Sequence, residues 1–205
     1  NNVNYINEKY GSHPAYFRDP DHGNRSAFYI FDSLEITDWS PIDPLKDENI
    51  MLAQTTDQSK YPYFSGFYNY AIGNNATDVL GIWRSMNDFC KGKGMIWSPS
   101  IGPGYIDKRA VPNSKAKTFN RDNGLMYNNN WNFVFDSGIP YWVSITSFNE
   151  WHEGSMLEPT SYNPPKGHEY LTYDGAYNKT GNASEMAYIQ RTKYWVDEYS
   201  KRSQH

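Results

Sequence analysis

Short apolar runs that lack clean alternation recur along this chain, with stretches of helical spacing among them, and no other feature restricts its fold so tightly. The runs are 27–31, ending at Asp32; 50–53, ending at Gln54; 67–72, after Gly66; 95–100, after Gly92 and Gly94; and 142–148, after Gly138 and Pro140. Strands buried on both faces read this way, because neither face needs polar residues. Between them, Val79, Ile82, Trp83, Met86, Phe89 and Cys90 share one helical face, with Thr77 or Asp78 as the cap. Tyr127, Trp131, Val134 and Phe135 repeat the spacing until Gly138 ends the segment. Met186, Ile189, Trp195, Val196 and Tyr199 mark a last helix with a basic C-terminus, and 5–10, stopped by Gly11, read as the tail of an earlier one.

The order strand, helix, strand predicts an α/β fold: a parallel sheet joined by helical crossovers. About five strands fall within 205 residues, whereas a closed (β/α)8 TIM-like barrel has eight and typically needs ~250 residues. The expectation is therefore part of such a barrel, about five parallel strands, with further strands supplied by another segment or a second chain. Long polar loops at 107–123 and 159–184 follow strands, where barrel sites are built.

The net charge of −4, with no stripe among the 19 Lys and Arg, excludes a nucleic-acid partner. The 18 Tyr, 10 Phe and 7 Trp either fill a core or line a carbohydrate cleft, where sugar C–H faces stack on rings. Composition leaves both open. The single Cys90 rules out an internal disulfide and reads as a buried free thiol. Asn-x-Ser/Thr sites at Asn24, Asn75, Asn178 and Asn182 permit a secretory setting. The chain begins at Asn1 rather than Met, so the lack of a targeting segment says nothing about location.

The chemistry concentrates where the run 142–148 ends. Asn149-Glu150-Trp151-His152-Glu153-Gly154 brings two carboxylates to the end of an apolar strand, the catalytic end in a barrel. Glycosidases need such a pair, one to protonate the leaving oxygen and one as base or nucleophile. Residues three apart converge only if the chain turns after Asn149, which Gly154 favours. Two solvated loop glutamates are the plainer alternative, as charged residues are mostly exposed. His152 beside Glu153 also suggests metal ligation, but His13, His22 and His168 lack ligand spacing, so neither a metal nor another cofactor is expected.

This block, followed by Leu157-Glu158, resembles glycoside hydrolase family 99, the endo-α-mannosidases. Tyr10-Gly11-Ser12-His13, Phe28-Tyr29-Ile30-Phe31-Asp32, Gly66-Phe67-Tyr68-Asn69-Tyr70 and Gly102-Pro103-Gly104-Tyr105-Ile106-Asp107 agree, in family order. The resemblance implies that residues 1–205 are the C-terminal portion of a (β/α)-barrel catalytic domain. At Val111-Pro112 the family pattern has Arg-Pro; here Val stands, with Arg109 two residues earlier.

What the resemblance implies is retaining cleavage inside a mannose-containing glycan, with N-glycans of the secretory pathway as the substrate class. Glu150 would deprotonate the substrate's own 2-hydroxyl, and Glu153 would protonate the leaving oxygen. Asn149 bonds a sugar hydroxyl or caps the turn. Tyr70 lines the cleft or packs in the core. Tyr105 and Trp151 stack on sugar or anchor their loops, and His152 orients a carboxylate rather than moving protons. Competing readings are a non-catalytic carbohydrate-binding chain and a barrel glycosidase of other sugar specificity, because a fold does not fix a substrate.

Overall fold

The computed structural model describes residues 2–33, 35–70, 76–106, 108, 118–168 and 170–203. The chain forms two compact units, one of 1–69 with 85–98 and one of 70–84 with 99–205. Every apolar run picked out above overlaps a strand; the strands at 27–31 and 50–53 begin before their runs, and those at 67–72, 95–100 and 142–148 are shorter than theirs.

In the first unit, helix α1 (Asn2–Tyr10) leads to strands β1 (Arg18–Asp19), β2 (Arg25–Ile30), β3 (Asn49–Gln54), β4 (Gly66–Tyr68) and β5 (Ile96–Ser98), which pair in that order. β2 to β5 are mutually parallel, and in this sheet β1 alone is antiparallel, pairing with the first two residues of β2 through Arg18↔Ser26 and Asp19↔Arg25. Ile50, Met51, Leu52 and Ala53 of β3 are at most 1 % exposed, as expected of a strand covered on both faces. β2 departs from this pattern: Tyr29 is 42 % exposed, and Phe31, just past the strand, is 62 % exposed.

The crossover from β4 to β5 is α2 (Ala76–Lys93). It begins at Ala76, so Thr77 and Asp78 lie inside the helix rather than capping it, and the cap position falls outside the described residues. β4 ends at Tyr68, short of the expected 72, and residues 71–72 also lie outside them. Phe89 meets Phe67 of β4 at 6.3 Å between ring centroids.

Cys90, on the same helix face, is 1 % exposed, and burial pushes its thiol from 9.0 up to about 12. Below pH 9 the thiol is protonated in both folded and unfolded chains, so its ionisation adds no pH dependence to stability there. Between that pH and the folded value only the unfolded chain ionises, and stability falls by about 1.4 kcal/mol per pH unit. Wild type is therefore expected to lose urea resistance between pH 9 and 11 more steeply than Cys90→Ala, as read from denaturation midpoints.

In the second unit, β6 (Ser100–Ile101) and β9 (Ser144–Ile145) are parallel, registered Ser100↔Ser144 and Ile101↔Ile145. Between them come an antiparallel pair, β7 (Tyr105–Ile106) with β8 (Thr118–Phe119), and helix α3 (Leu125–Asp136). Helix α4 (Ala187–Arg202) closes the chain. α3 and α4 pack through aromatics: Trp131 stacks on Trp195 at 6.1 Å, and Tyr127 meets Tyr188 at 6.2 Å. These helices also hold the strand ends. Asn130 donates to the Gly102 carbonyl at 2.8 Å, and the Tyr199 hydroxyl donates to the carbonyls of Pro140 and Tyr141, just before β9. Among the described residues no helix is long and apolar enough to cross a membrane.

Candidate active site

β9 is brief, but the chain beyond it is closely tied. Thr146 N donates to Ile101 O at 2.8 Å, and the Thr146 and Ser100 hydroxyls meet at 2.5 Å, so the strand direction continues past Ile145. The chain then folds back on itself. Ser147 N donates to Ser155 O (3.0 Å), Leu157 N to Ser147 O (3.0 Å) and Glu158 N to Phe148 O (2.8 Å), a hairpin-like frame around 149–154. Within it Ser155 N reaches Glu150 O at 3.1 Å, Gly154 N reaches Trp151 O at 3.2 Å, and Ser147 Oγ accepts from Glu150 N at 2.9 Å. Gly154 holds φ +60°, a left-handed conformation that an L side chain resists, and a Cβ there would come 3.1 Å from Ile106. This is the turn that the spacing of Glu150 and Glu153 requires.

The two glutamates are half-buried on this turn. Their charges bear on one group: the Tyr70 phenol is raised above its ordinary value, first by partial burial, then by the carboxylate of Glu153 and that of Glu150. Tyr70, 44 % exposed, thus stands where both carboxylates are felt rather than in the core. Trp151 is half-buried, and its indole N–H donates to Glu158 Oε2 at 2.8 Å, which anchors the turn. Tyr105 lies beside the turn, because the next residue, Ile106, donates its N–H to Glu153 O at 2.6 Å. Asn149 and His152 are exposed at the tip, and His152 makes no hydrogen bond to either glutamate.

Arg109 and Val111 lie outside the described residues. Among those described, no group of three or more His, Cys, Asp or Glu could hold a metal ion.

Sequence reasoning passed over Ser147, Glu158, Arg121 and Tyr173. Arg121 Nη2 donates to the carbonyls of Gly154 (2.9 Å) and Met156 (2.6 Å), and the Tyr173 hydroxyl donates to those of Met156 (3.0 Å) and Glu158 (2.8 Å). Glu158 stood in the quoted pattern, where its spacing of seven from Trp151 could have suggested a pair. Arg121 and Tyr173 carry no local signal, since they are joined to the turn only by the fold.

Parallel strands with helical crossovers, and a turn after one strand that presents two carboxylates, are the arrangement of barrel enzymes that hydrolyse glycosidic bonds. The sequence model for glycosyl hydrolase family 99 matches residues 1–201, and the chain belongs to that family. It is 32 % identical over 225 aligned residues to the glycoprotein endo-alpha-1,2-mannosidase of Xenopus laevis, covering 100 % of this chain and 48 % of the relative. It is 31 % identical to that of Rattus norvegicus, covering 98 % and 46 %. The chain thus spans about half the length of the curated relatives it matches. The solved GH99 endo-alpha-mannosidase from Bacteroides thetaiotaomicron superimposes with a TM-score of 0.82 at 33 % identity, covering 100 % of this chain and 62 % of the other. The fold is part of a (β/α)8 barrel, as the run of parallel strands implied.

Proposed function

We propose that the full protein hydrolyses an internal α-1,2-mannosidic bond of a glycoprotein glycan with retention of configuration. In this reading residues 1–205 form the C-terminal portion of the barrel catalytic domain, completed by an N-terminal segment or a second chain. One observation carries it: the turn after β9 presents Glu150 and Glu153, whose charges both act on the Tyr70 phenol. The names of the relatives supply the linkage, and a glycoprotein substrate fits a secretory setting.

Two half-reactions follow. In the first, Glu150 takes the proton of the substrate's 2-hydroxyl, O2 attacks the anomeric carbon, and Glu153 gives its proton to the departing oxygen, leaving a 1,2-anhydro sugar. In the second, the Glu153 carboxylate takes a proton from water, that oxygen opens the epoxide at the anomeric carbon, and Glu150 returns its proton to O2. Two inversions give net retention. The axial 2-hydroxyl of mannose hinders attack by a carboxylate, whereas the hydroxyl itself is held beside the reacting carbon at high effective molarity. Tyr70, Tyr105 and Asn149 serve the sugar, Tyr70 as a neutral donor near both carboxylates. Trp151 serves by holding the turn.

NMR of the first anomer formed by the full-length protein on a glycan with an internal α-1,2-mannosidic bond tests the pathway. Initial α-product is expected, and initial β-product would end the retaining scheme.

A further inference from the structure

We propose that Arg121 is a positioning residue for Glu153, acting through the main chain of the turn. The proposal rests on the reading of Glu153 as the proton donor, but its structural half stands apart from that reading.

Arg121 is a cation placed where stability alone gives little reason for one. Its Nε and Nη1 are buried without hydrogen-bond partners, and among the described residues it forms no ion pair with a carboxylate. The guanidinium lies instead against two aromatic rings, 5.2 Å from the centroid of Tyr173 and 4.8 Å from that of Tyr188. Withdrawing a cation from water is costly, and an apolar side chain of similar volume fills such a space as well or better. What an apolar side chain cannot supply is the pair of bonds from Nη2 to Gly154 O and Met156 O. Charge-assisted bonds of this kind are about twice as strong as neutral ones.

The bonds fall next to the acid. Gly154 is the residue after Glu153, whose own carbonyl accepts from Ile106 N at 2.6 Å. The Glu153–Gly154 peptide is held through Glu153 O and through Gly154 N, which donates to Trp151 O at 3.2 Å. Arg121 on Gly154 O, with Ser155 N on Glu150 O at 3.1 Å, holds the Gly154–Ser155 peptide that follows, so that two consecutive peptide planes are set. The Cα of Glu153, and with it the origin of its side chain, follows. Tyr173 reinforces the arrangement on Met156 O, the carbonyl it shares with Arg121. The surroundings leave room for the arginine. A Cβ on Gly104 would lie 2.6 Å from Arg121 Cγ and 3.0 Å from Phe119 O. The glycine at this point of the Gly102-Pro103-Gly104-Tyr105 stretch is thus explained by the passage of the arginine stem.

The test uses Arg121→Met and Arg121→Lys in the full-length protein, with two independent readouts. The first is amide hydrogen exchange. Arg121→Met should lose about tenfold or more of the protection at Gly154 and Ser155, while amides of α3 and α4 stay protected. The second is kinetics on an internal α-1,2-mannosidic substrate: kcat should fall about tenfold with KM changed less than twofold, and the alkaline limb of the pH–rate profile should move. Arg121→Lys keeps the charge and one donor without the planar fork, so it should fold and recover part of both losses; it also serves if Arg121→Met does not fold. Unchanged protection at Gly154 and Ser155 in Arg121→Met overturns the positioning role, whatever the activity; if Arg121→Met does not fold, unchanged protection in Arg121→Lys overturns it instead. Altered kcat and KM in equal measure, with a fixed pH profile, would make the arginine merely structural and overturn it too. A wild-type protein that leaves the α-mannoside intact refutes the functional reading, and the exchange experiment still decides whether Arg121 holds the turn.

Discussion

Glu153→Gln is expected to lower turnover of an internal α-mannoside by roughly a hundredfold or more, the scale of acid/base catalysis, without disturbing the fold. Gln is nearly isosteric with Glu, and the frame of the turn uses the Glu153 carbonyl rather than its carboxyl in the bond from Ile106 N. Glu150→Gln should lose at least as much, since Gln cannot take the proton of the 2-hydroxyl; the main-chain bonds to Ser155 N and Ser147 Oγ again survive. The two losses differ in kind. On an aryl mannoside whose leaving group needs no protonation, Glu153→Gln should still release one equivalent of aryl alcohol rapidly, whereas Glu150→Gln should not. Rapid-quench kinetics separate them, and a fully active Glu153→Gln enzyme would defeat the assignment. The Tyr70 phenol gives a second readout: removing either negative charge relieves part of what raises it, so its titration should move down in both variants.

The largest loss of stability is expected from Trp131→Ala, about 3–5 kcal/mol, the range for truncating a buried aromatic. Trp131 is 1 % exposed and stacks on Trp195 at 6.1 Å with an interplanar angle of 13°, while Tyr127 and Tyr199 close it in at 6.3 and 6.4 Å. Neighbouring rings have few rotamers that would fill the vacated space, so most of the cavity should persist. Trp131→Phe keeps much of the contact and should cost well under half as much. Guanidinium denaturation of the three proteins measures the series; a Trp131→Ala loss below about 1 kcal/mol would mean that the packing between α3 and α4 adds little. The site should suffer as well, because Asn130 and Tyr199, on the same two helices, hold the Gly102 carbonyl and the segment entering β9.

The scaffold was legible where burial or periodicity leaves a mark on composition. β3 reads directly, since the four residues at its centre, covered on both faces, are all apolar; α3 reads from spacing, and so does the existence of α4, although Met186 precedes that helix and both Met186 and Val196 are exposed. Ends read less well. α2 starts at Ala76, because a polar Thr or Asp serves equally as a cap or in a first turn. β9 pairs over only two residues of the run 142–148, where Thr146 alone is buried and Phe148 is 57 % exposed, so the run marked neither the length of the strand nor a strand covered on both faces. At the site, the two glutamates were legible because two carboxylates and a glycine after a strand are an unusual conjunction. The sequence order of Arg121 and Gly154 conveys nothing of their contact, and a lone arginine among polar residues looks like solvated surface. Trp151 shows the limit in another way: its indole N–H goes to Glu158, a use that composition cannot separate from sugar stacking.

The way the turn is held has a consequence for divergence within such a scaffold. The bonds that close 147–158 run from main chain to main chain, or come from Ser147, Trp151, Arg121 and Tyr173, and none is made by the side chain of Asn149, Glu150 or His152. Those positions can accept new side chains without reshaping the loop. Mutational drift or laboratory selection can therefore change the side chains that the turn presents while the platform persists, and a library confined to Asn149 and His152 should retain a high proportion of folded members.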